Sequence, residues 1–73
     1  MKNILVLGGS ELQTSIINYL IALNNYNIYV IDSNNDCIES NNPNIIFLNI
    51  CTLNFNLIFN YFNNQQITIN AVI

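Results

Sequence analysis

The sequence has almost no positive charge, because Lys2 is the only base among 73 residues and arginine is absent. Four acidic residues bring the net charge to −3. Electrostatic binding to nucleic acid or to an anionic membrane requires a basic surface. The composition therefore excludes both as a main activity, and we expect no nucleic-acid partner and no membrane partner.

Histidine is also absent, and the two cysteines, Cys37 and Cys51, stand 14 residues apart with no further ligand residues beside them. Zinc sites need three or four nitrogen or sulfur ligands, so we expect no metal site in the chain. The two thiols could pair, but nothing else suggests a secreted disulfide scaffold. We expect buried or incidental thiols.

Long apolar runs are missing as well. Residues 4–7 are too few for a signal-peptide core and continue directly into Gly8 and Gly9. The longest apolar-rich stretch, residues 16–23, is interrupted by Asn18 and is much shorter than a membrane span. We expect a soluble intracellular protein, located in the cytoplasm.

What the chain does contain is apolar surface: 52% of its residues are hydrophobic and 11% are aromatic, whereas only 7% are charged. This is enough to bury a core and excludes a disordered chain. Polarity comes mainly from 17 asparagines, beside 14 isoleucines. Such a composition indicates coding bias from an AT-rich genome, so individual asparagines receive little functional weight.

Four apolar runs predict β-strands at residues 3–7, 26–31, 45–50 and 67–73, the second of them ending on Asp32. Continuous apolar runs of this length are typical of strands that are covered on both faces. Residues 33–43 are polar and contain Pro43, which predicts a loop with at most one helical turn.

Two helices are predicted between these strands. Ser10 and Gln13 form a capping-box pattern at the start of the first helix, and Thr52 is the predicted cap of the second. One apolar face is expected on each helix. The predicted faces are Leu12, Ile16, Ile17, Leu20 and Leu23 on the first helix, and Leu53, Leu57, Ile58, Tyr61 and Phe62 on the second.

The element order β-α-β-loop-β-α-β predicts an α/β fold, a Rossmann-like parallel sheet with strand order 3-2-1-4. Residues 1–73 then form one half-domain without a second domain. Because the chain stops on an apolar strand, we expect it to be truncated or to be the first segment of a larger protein. Two helices cover a four-stranded sheet poorly, so the isolated chain is expected to be poorly soluble or to self-associate.

The strongest candidate site is the run Gly8, Gly9, Ser10, Glu11 and Leu12 between the first strand and the first helix. Ligands favour this position, and helix amides there bind anions such as phosphate or carboxylate. The dinucleotide fingerprint, however, needs glycine where the chain has Ser10 and Gln13. A tight turn with a capped helix explains the same residues without a ligand.

Asp32 is the second candidate, because an acid about 20 residues after such glycines binds ribose hydroxyls in dinucleotide-binding units. The alternative is an acid that caps the turn after the strand. Asp36 and Glu39 are expected to be solvated, and no residue is a candidate for catalysis. Only eleven residues, 33–43, follow Asp32 before Asn44. This is too short for the full helix of an ordinary dehydrogenase domain.

Three segments resemble the opening of ATP-grasp ligases. They are residues 3–13 (NILVLGGSELQ), residues 30–37 (VIDSNNDC) and residues 69–73 (INAVI). Their order and the short connector after Asp32 are also similar to that family. The resemblance covers all 73 residues and corresponds only to the N-terminal preATP-grasp domain.

The resemblance implies that ATP and Mg²⁺ activate a carboxylate as an acyl phosphate, which an amine then attacks. Nucleotide and metal would bind on later domains, which this chain lacks. Gly8, Gly9, Glu11 and Leu12 match positions that help to hold a phosphorylated substrate in the transformylase branch. Gln13 replaces a glycine usual in that branch, which leaves the substrate open. The implied partners are a small carboxylate or phosphorylated molecule and the missing C-terminal domains.

Three alternatives stay open. The first is the nucleotide-binding start of an NAD(P)-dependent oxidoreductase similar to saccharopine dehydrogenase. The second is a regulatory module of the potassium-channel type, although both normally carry the full glycine fingerprint and a helix in the connector. The third is a non-functional remnant.

Overall fold

The structure, a computed structural model, describes residues 1–9, 11–33 and 43–73. Its four described strands form a parallel sheet in the order β3-β2-β1-β4. This confirms the predicted α/β fold and the predicted strand order. The elements are β1 Lys2–Leu7, α1 Glu11–Leu23, β2 Tyr26–Asp32, β3 Ile45–Asn49, α2 Phe55–Asn64 and β4 Ala71–Val72.

The two central strands, β1 and β2, are buried on both faces. They pair along their whole length, from Lys2 beside Tyr26 to Leu7 beside Ile31. Successive side chains point to opposite faces of the sheet, so each strand supplies two layers of the core. The layer under α1 contains Ile4, Val6, Ile17, Leu20, Ile28 and Val30, and the layer under α2 contains Leu5, Tyr29, Ile31, Ile58 and Phe62.

The buried face of α1 is narrower than predicted. Ile17 and Leu20 are buried and Ile21 packs beside them, whereas Ile16 and Leu23 are exposed over 38% and 40% of their surface. The prediction that Ile16 and Leu23 belong to the buried face is therefore wrong. Successive residues of a helix are rotated by about 100°, so Ile16 and Leu23 are turned away from the sheet when Ile17 and Leu20 face it.

The start of α2 also differs from the prediction, because Asn54 caps the helix in place of Thr52. The Leu57 N–H donates to Asn54 Oδ1 at 3.2 Å. Thr52 lies in a preceding turn that the Asn54 N–H closes on the Cys51 carbonyl at 2.9 Å. Leu53 consequently precedes the helix and is 78% exposed. The cap stands four residues before Ile58, so that the helix begins one turn ahead of its buried face.

The other predicted members of the α2 face divide into two groups. Ile58 and Phe62 are buried, and Tyr61 is half-buried beside them. Leu57 is 50% exposed, so the prediction was wrong for it as well as for Leu53. A rotation of about 100° per residue turns Leu57 away from the sheet once Ile58 faces it.

The fourth strand is much shorter than the predicted 67–73, since only Ala71 and Val72 form a ladder with β1. Side chains of asparagine hold the preceding residues. The Asn3 N–H donates to Asn70 Oδ1 at 2.8 Å, and Asn3 Nδ2 donates to the Thr68 carbonyl at 2.9 Å. The Asn70 N–H also donates to the Asn3 carbonyl at 2.9 Å. Side-chain amides thus add to the backbone pairing, which gives these asparagines a structural role.

The connector between β2 and β3 lies mostly outside the described residues, and with it the predicted loop, Asp36 and Glu39. The third strand ends at Asn49, one residue before the predicted end at Ile50. Among the described elements, no helix combines the length and hydrophobicity needed to cross a membrane.

Candidate functional site

The turn after β1 depends on the backbone of Gly8. Its φ of +98° lies in the region that side chains disfavour, although a Cβ there would meet no atom within 4 Å. The Gly8 N–H donates to the Ile31 carbonyl at 2.8 Å, which extends the pairing of β1 with β2 by one residue. Glycine is therefore required here by the positive φ of the backbone and not by lack of space for a side chain.

Asp32 holds the second glycine of the turn. Its Oδ2 accepts a hydrogen bond from the Gly9 N–H at 2.8 Å, and Gly9 is buried while Asp32 is half-buried. A hydrogen bond to an ionised acceptor is shorter and stronger than one between neutral groups. Asp32 is thus in direct contact with the glycine turn, and this contact fixes the turn.

The side chain of Gln13, on α1, reaches across the turn to the end of β1. Its Nε2 donates to the Leu7 carbonyl at 3.3 Å, so the first helical turn is tied to the last residue of β1. Its predicted capping partner, Ser10, lies outside the described residues. Glu11 and Leu12 are the first two residues of α1. Gly8 and Gly9 therefore follow the end of β1, and Glu11 and Leu12 open α1.

This turn lies at the point where the strand order of the sheet reverses. The chain passes from β1 to β2 and β3 on one side, whereas β4 lies on the other side of β1. The Leu7 N–H donates to the Ile73 carbonyl at 2.9 Å, so the carboxyl ends of β1 and β4 are adjacent. Open α/β sheets bind ligands in the crevice at such a switch point.

The charge near the turn limits what it binds. Asp32 contributes a carboxylate, and Lys2 lies at the opposite end of β1. Because the Gly9 N–H already donates to this carboxylate, it is not a free donor for an anion. A phosphate or carboxylate would have to use amides at the start of α1, further from Asp32.

A second feature, which the sequence reasoning missed, is an apolar groove beside α2. It has a volume of about 380 Å³. We call it the α2–β4 groove; its lining residues are Leu5, Leu7, Phe55, Ile58, Phe59, Phe62, Asn63, Ile67, Ile69 and Val72. Phe55 and Phe59, one helical turn apart, could have indicated it, because they extend the apolar face of α2 beyond the buried residues.

Comparison with protein-family models, curated proteins and solved structures finds no match for this chain. Within the described ranges, no group of three or more cysteine, aspartate or glutamate side chains is placed to hold a metal ion. The glycine turn and its contact with Asp32 are thus the features of this chain that bear on its function.

Proposed function

We propose that this chain is the substrate-side, preATP-grasp domain of an ATP-dependent carboxylate–amine ligase and is inactive by itself. In such a ligase the γ-phosphoryl group of ATP would pass to a carboxylate, giving an acyl phosphate and ADP, and attack by an amine would form an amide and release phosphate. ATP and Mg²⁺ belong to domains outside this chain. The observation that supports the proposal most is the Gly8-Gly9 turn at the switch point of a sheet with the expected order.

In this proposal the loop binds the carboxylate or phosphate of the substrate through backbone N–H groups at the start of α1, where Glu11 and Leu12 stand. The positive end of the helix dipole favours an anion at this position. Asp32 acts indirectly, because its hydrogen bond to Gly9 holds the glycine turn that precedes α1.

One observation favours a second candidate, the start of an NAD(P)-dependent oxidoreductase. Asp32 lies beside the glycine turn, where an acid binds the ribose hydroxyls of a dinucleotide. Ser10 and Gln13 stand where that fingerprint needs glycine, and only twelve residues, 33–44, separate β2 from β3. These features favour the ligase.

The deciding experiment is to read the gene beyond the codon for Ile73 for roughly two hundred codons, about the length of one or two domains. The ligase proposal expects a strand with a buried lysine, a glycine-rich loop and a late glutamate–asparagine pair for Mg²⁺. A continuation without these features would favour the oxidoreductase over the ligase. A stop codon directly after Ile73 would overturn every enzymatic proposal.

A binding experiment tests the site itself. Amide NMR spectra of the chain would be recorded with ribose 5-phosphate and, separately, with NADPH. We expect ribose 5-phosphate to shift the amide signals of Glu11 and Leu12, and NADPH to cause no saturable shift. The control is Lys2→Gln, which removes the chain's only basic side chain and should leave the shifts unchanged. Shifts that vanish in this control would mean non-specific anion binding and contradict the proposal.

A further inference from the structure

The α2–β4 groove lies next to two exposed aromatic rings of the same surface. Phe55 and Phe59 form part of its wall and are 68% and 69% exposed, although Ile58 and Phe62 on the same helix are buried. Val72, on the opposite wall, is 58% exposed. One surface therefore carries both an apolar recess and apolar side chains that project beside it.

The same surface includes the open edge of the sheet. In the described sheet β4 pairs with β1 alone. The Ile73 N–H donates to the Leu5 carbonyl at 2.8 Å, and the Ile73 carbonyl accepts from Leu7 at 2.9 Å. Backbone groups alternate in direction along a strand, so the N–H and carbonyl of Val72 point away from β1. They are placed to pair with another strand.

Nothing in the sequence protects this edge. Proteins usually block an exposed edge strand with charged residues, proline or a bulge. Residues 44–73 contain no charged residue and no proline, and all five charged side chains of the chain lie within residues 1–39. The residues that line the groove are all uncharged, so two copies of a chain with a net charge of −3 can meet there without bringing like charges into contact.

We infer that a second copy of this chain occupies the α2–β4 groove, in a two-fold symmetric dimer. A two-fold interface uses the same patch on both copies, so the patch must be complementary to itself. This surface meets that condition, since the Phe55 and Phe59 rings of one copy lie against the groove of the other. The outward backbone groups of the two β4 strands pair antiparallel, which joins the two sheets into one.

Sedimentation velocity over about 1 to 500 µM measures the dimer, a range chosen because small interfaces are weak. We expect Phe59→Asp to raise the dissociation constant by about tenfold or more, because it places a charge in the apolar centre of the interface. Tyr19→Asp is the matched control. It adds the same charge at an aromatic residue 64% exposed on α1, and should leave the dissociation constant unchanged.

Amide exchange of the unmodified chain gives a second result that needs no variant. The Val72 amide should exchange more slowly at high than at low protein concentration, because it is hydrogen-bonded only in the dimer. A monomer throughout the concentration range overturns the inference and assigns the groove to another occupant, such as a following segment of chain or a small apolar ligand. Equal effects of the two variants, or a dimer in which Val72 exchanges as in the monomer, also overturn it.

Discussion

Single residues determine the shape of the candidate site. Gly8 has a backbone conformation that other residues adopt at a cost, and Gly9 is held by the carboxylate of Asp32. The contacts of Gly8 and Gly9 with Ile31 and Asp32 hold the carboxyl ends of β1 and β2 together. The hydrogen bond of Asp32 to the protein's own backbone is the detail that most restricts the ligand, since it removes one amide donor from the site.

Gly8→Ala should lower the free energy of unfolding by about 1–2 kcal/mol, the usual cost of a left-handed conformation for a residue with a Cβ. The measurement is urea denaturation followed by circular dichroism. Asn24→Gly is the control, because Asn24 also has a positive φ, of 56°, and glycine relieves strain there. If Gly8→Ala were as stable as the unmodified chain, the conformation assigned to the turn would be wrong.

The hydroxyl of Tyr29 gives a prediction about pH. Burial, and secondarily the nearby Tyr61, raise the pKa of Tyr29 above its usual value of 10.0. The unfolded chain then loses this proton at lower pH than the folded one, so stability is complete below about pH 10 and falls as pH rises through the raised pKa.

Tyr29→Phe should therefore make the free energy of unfolding less dependent on pH above about pH 10. The measurement is urea denaturation at a series of alkaline pH values for both proteins. The core position itself is kept, because phenylalanine retains the edge-to-face contact with Phe62, whose ring centre is 5.1 Å away. An unchanged alkaline slope in the variant would contradict the assignment.

Among the elements, α2 shows most clearly how packing modifies a helical pattern. Its buried face is limited to Ile58 and Phe62, with Tyr61 at the margin, and its start is set by Asn54. Phe62 makes edge-to-face contacts with both Tyr29 and Tyr61, at 5.1 Å between ring centres in each case. The helix is thus fixed by a few aromatic contacts, which leaves Phe55 and Phe59 exposed beside the groove.

Asn54→Ala should destabilise the chain by about 1 kcal/mol, the usual cost of losing a side-chain cap. Thr52→Ala is the matched control and should change the free energy of unfolding by less than about 0.5 kcal/mol. Urea denaturation of both variants compares the cap observed in the structure with the cap predicted from the sequence. The reverse ranking would mean that α2 begins at Thr52.

At the scale of the whole molecule, hydrogen bonds connect a residue near the start of the chain with residues near its end. Asn3 connects three segments: it bonds to Thr68 and Asn70, 65 and 67 residues away, and its Oδ1 accepts from Asn27 Nδ2 at 3.1 Å. Only two residues of β4 form a regular ladder. Backbone hydrogen bonds of Asn70 and Ile73 to β1 extend the pairing on either side, and the side-chain bonds of Asn3 and Asn70 add to them.

Asn3→Ala should lower the free energy of unfolding by about 1–2 kcal/mol, because the side-chain hydrogen bonds to Thr68 and Asn27 are lost, whereas the backbone N–H of residue 3 can still donate to Asn70. It should also speed amide exchange at Ile73, whose N–H bonds to Leu5. Asn60→Ala, at an exposed position of α2, is the control and should be neutral or slightly stabilising, since alanine is the better helix former. Equal stability of the two variants would show that Asn3 does not hold the edge.

The sequence by itself determined the elements, their order and the parallel sheet, because these follow from short-range apolar periodicity and from the geometry of crossovers. It also placed Gly8, Gly9 and Asp32 at the carboxyl ends of their strands, which lie on the same side of a parallel sheet. Tertiary structure decided which stripe of each helix is buried, which residue caps α2 and how much of residues 67–73 forms a strand. The reason is that each of these depends on contacts between segments far apart in the chain, as the bonds of Asn3 to Thr68 and Asn70 illustrate. The α2–β4 groove belongs to this second group, because it exists only where α2 and the approach to β4 leave space between them.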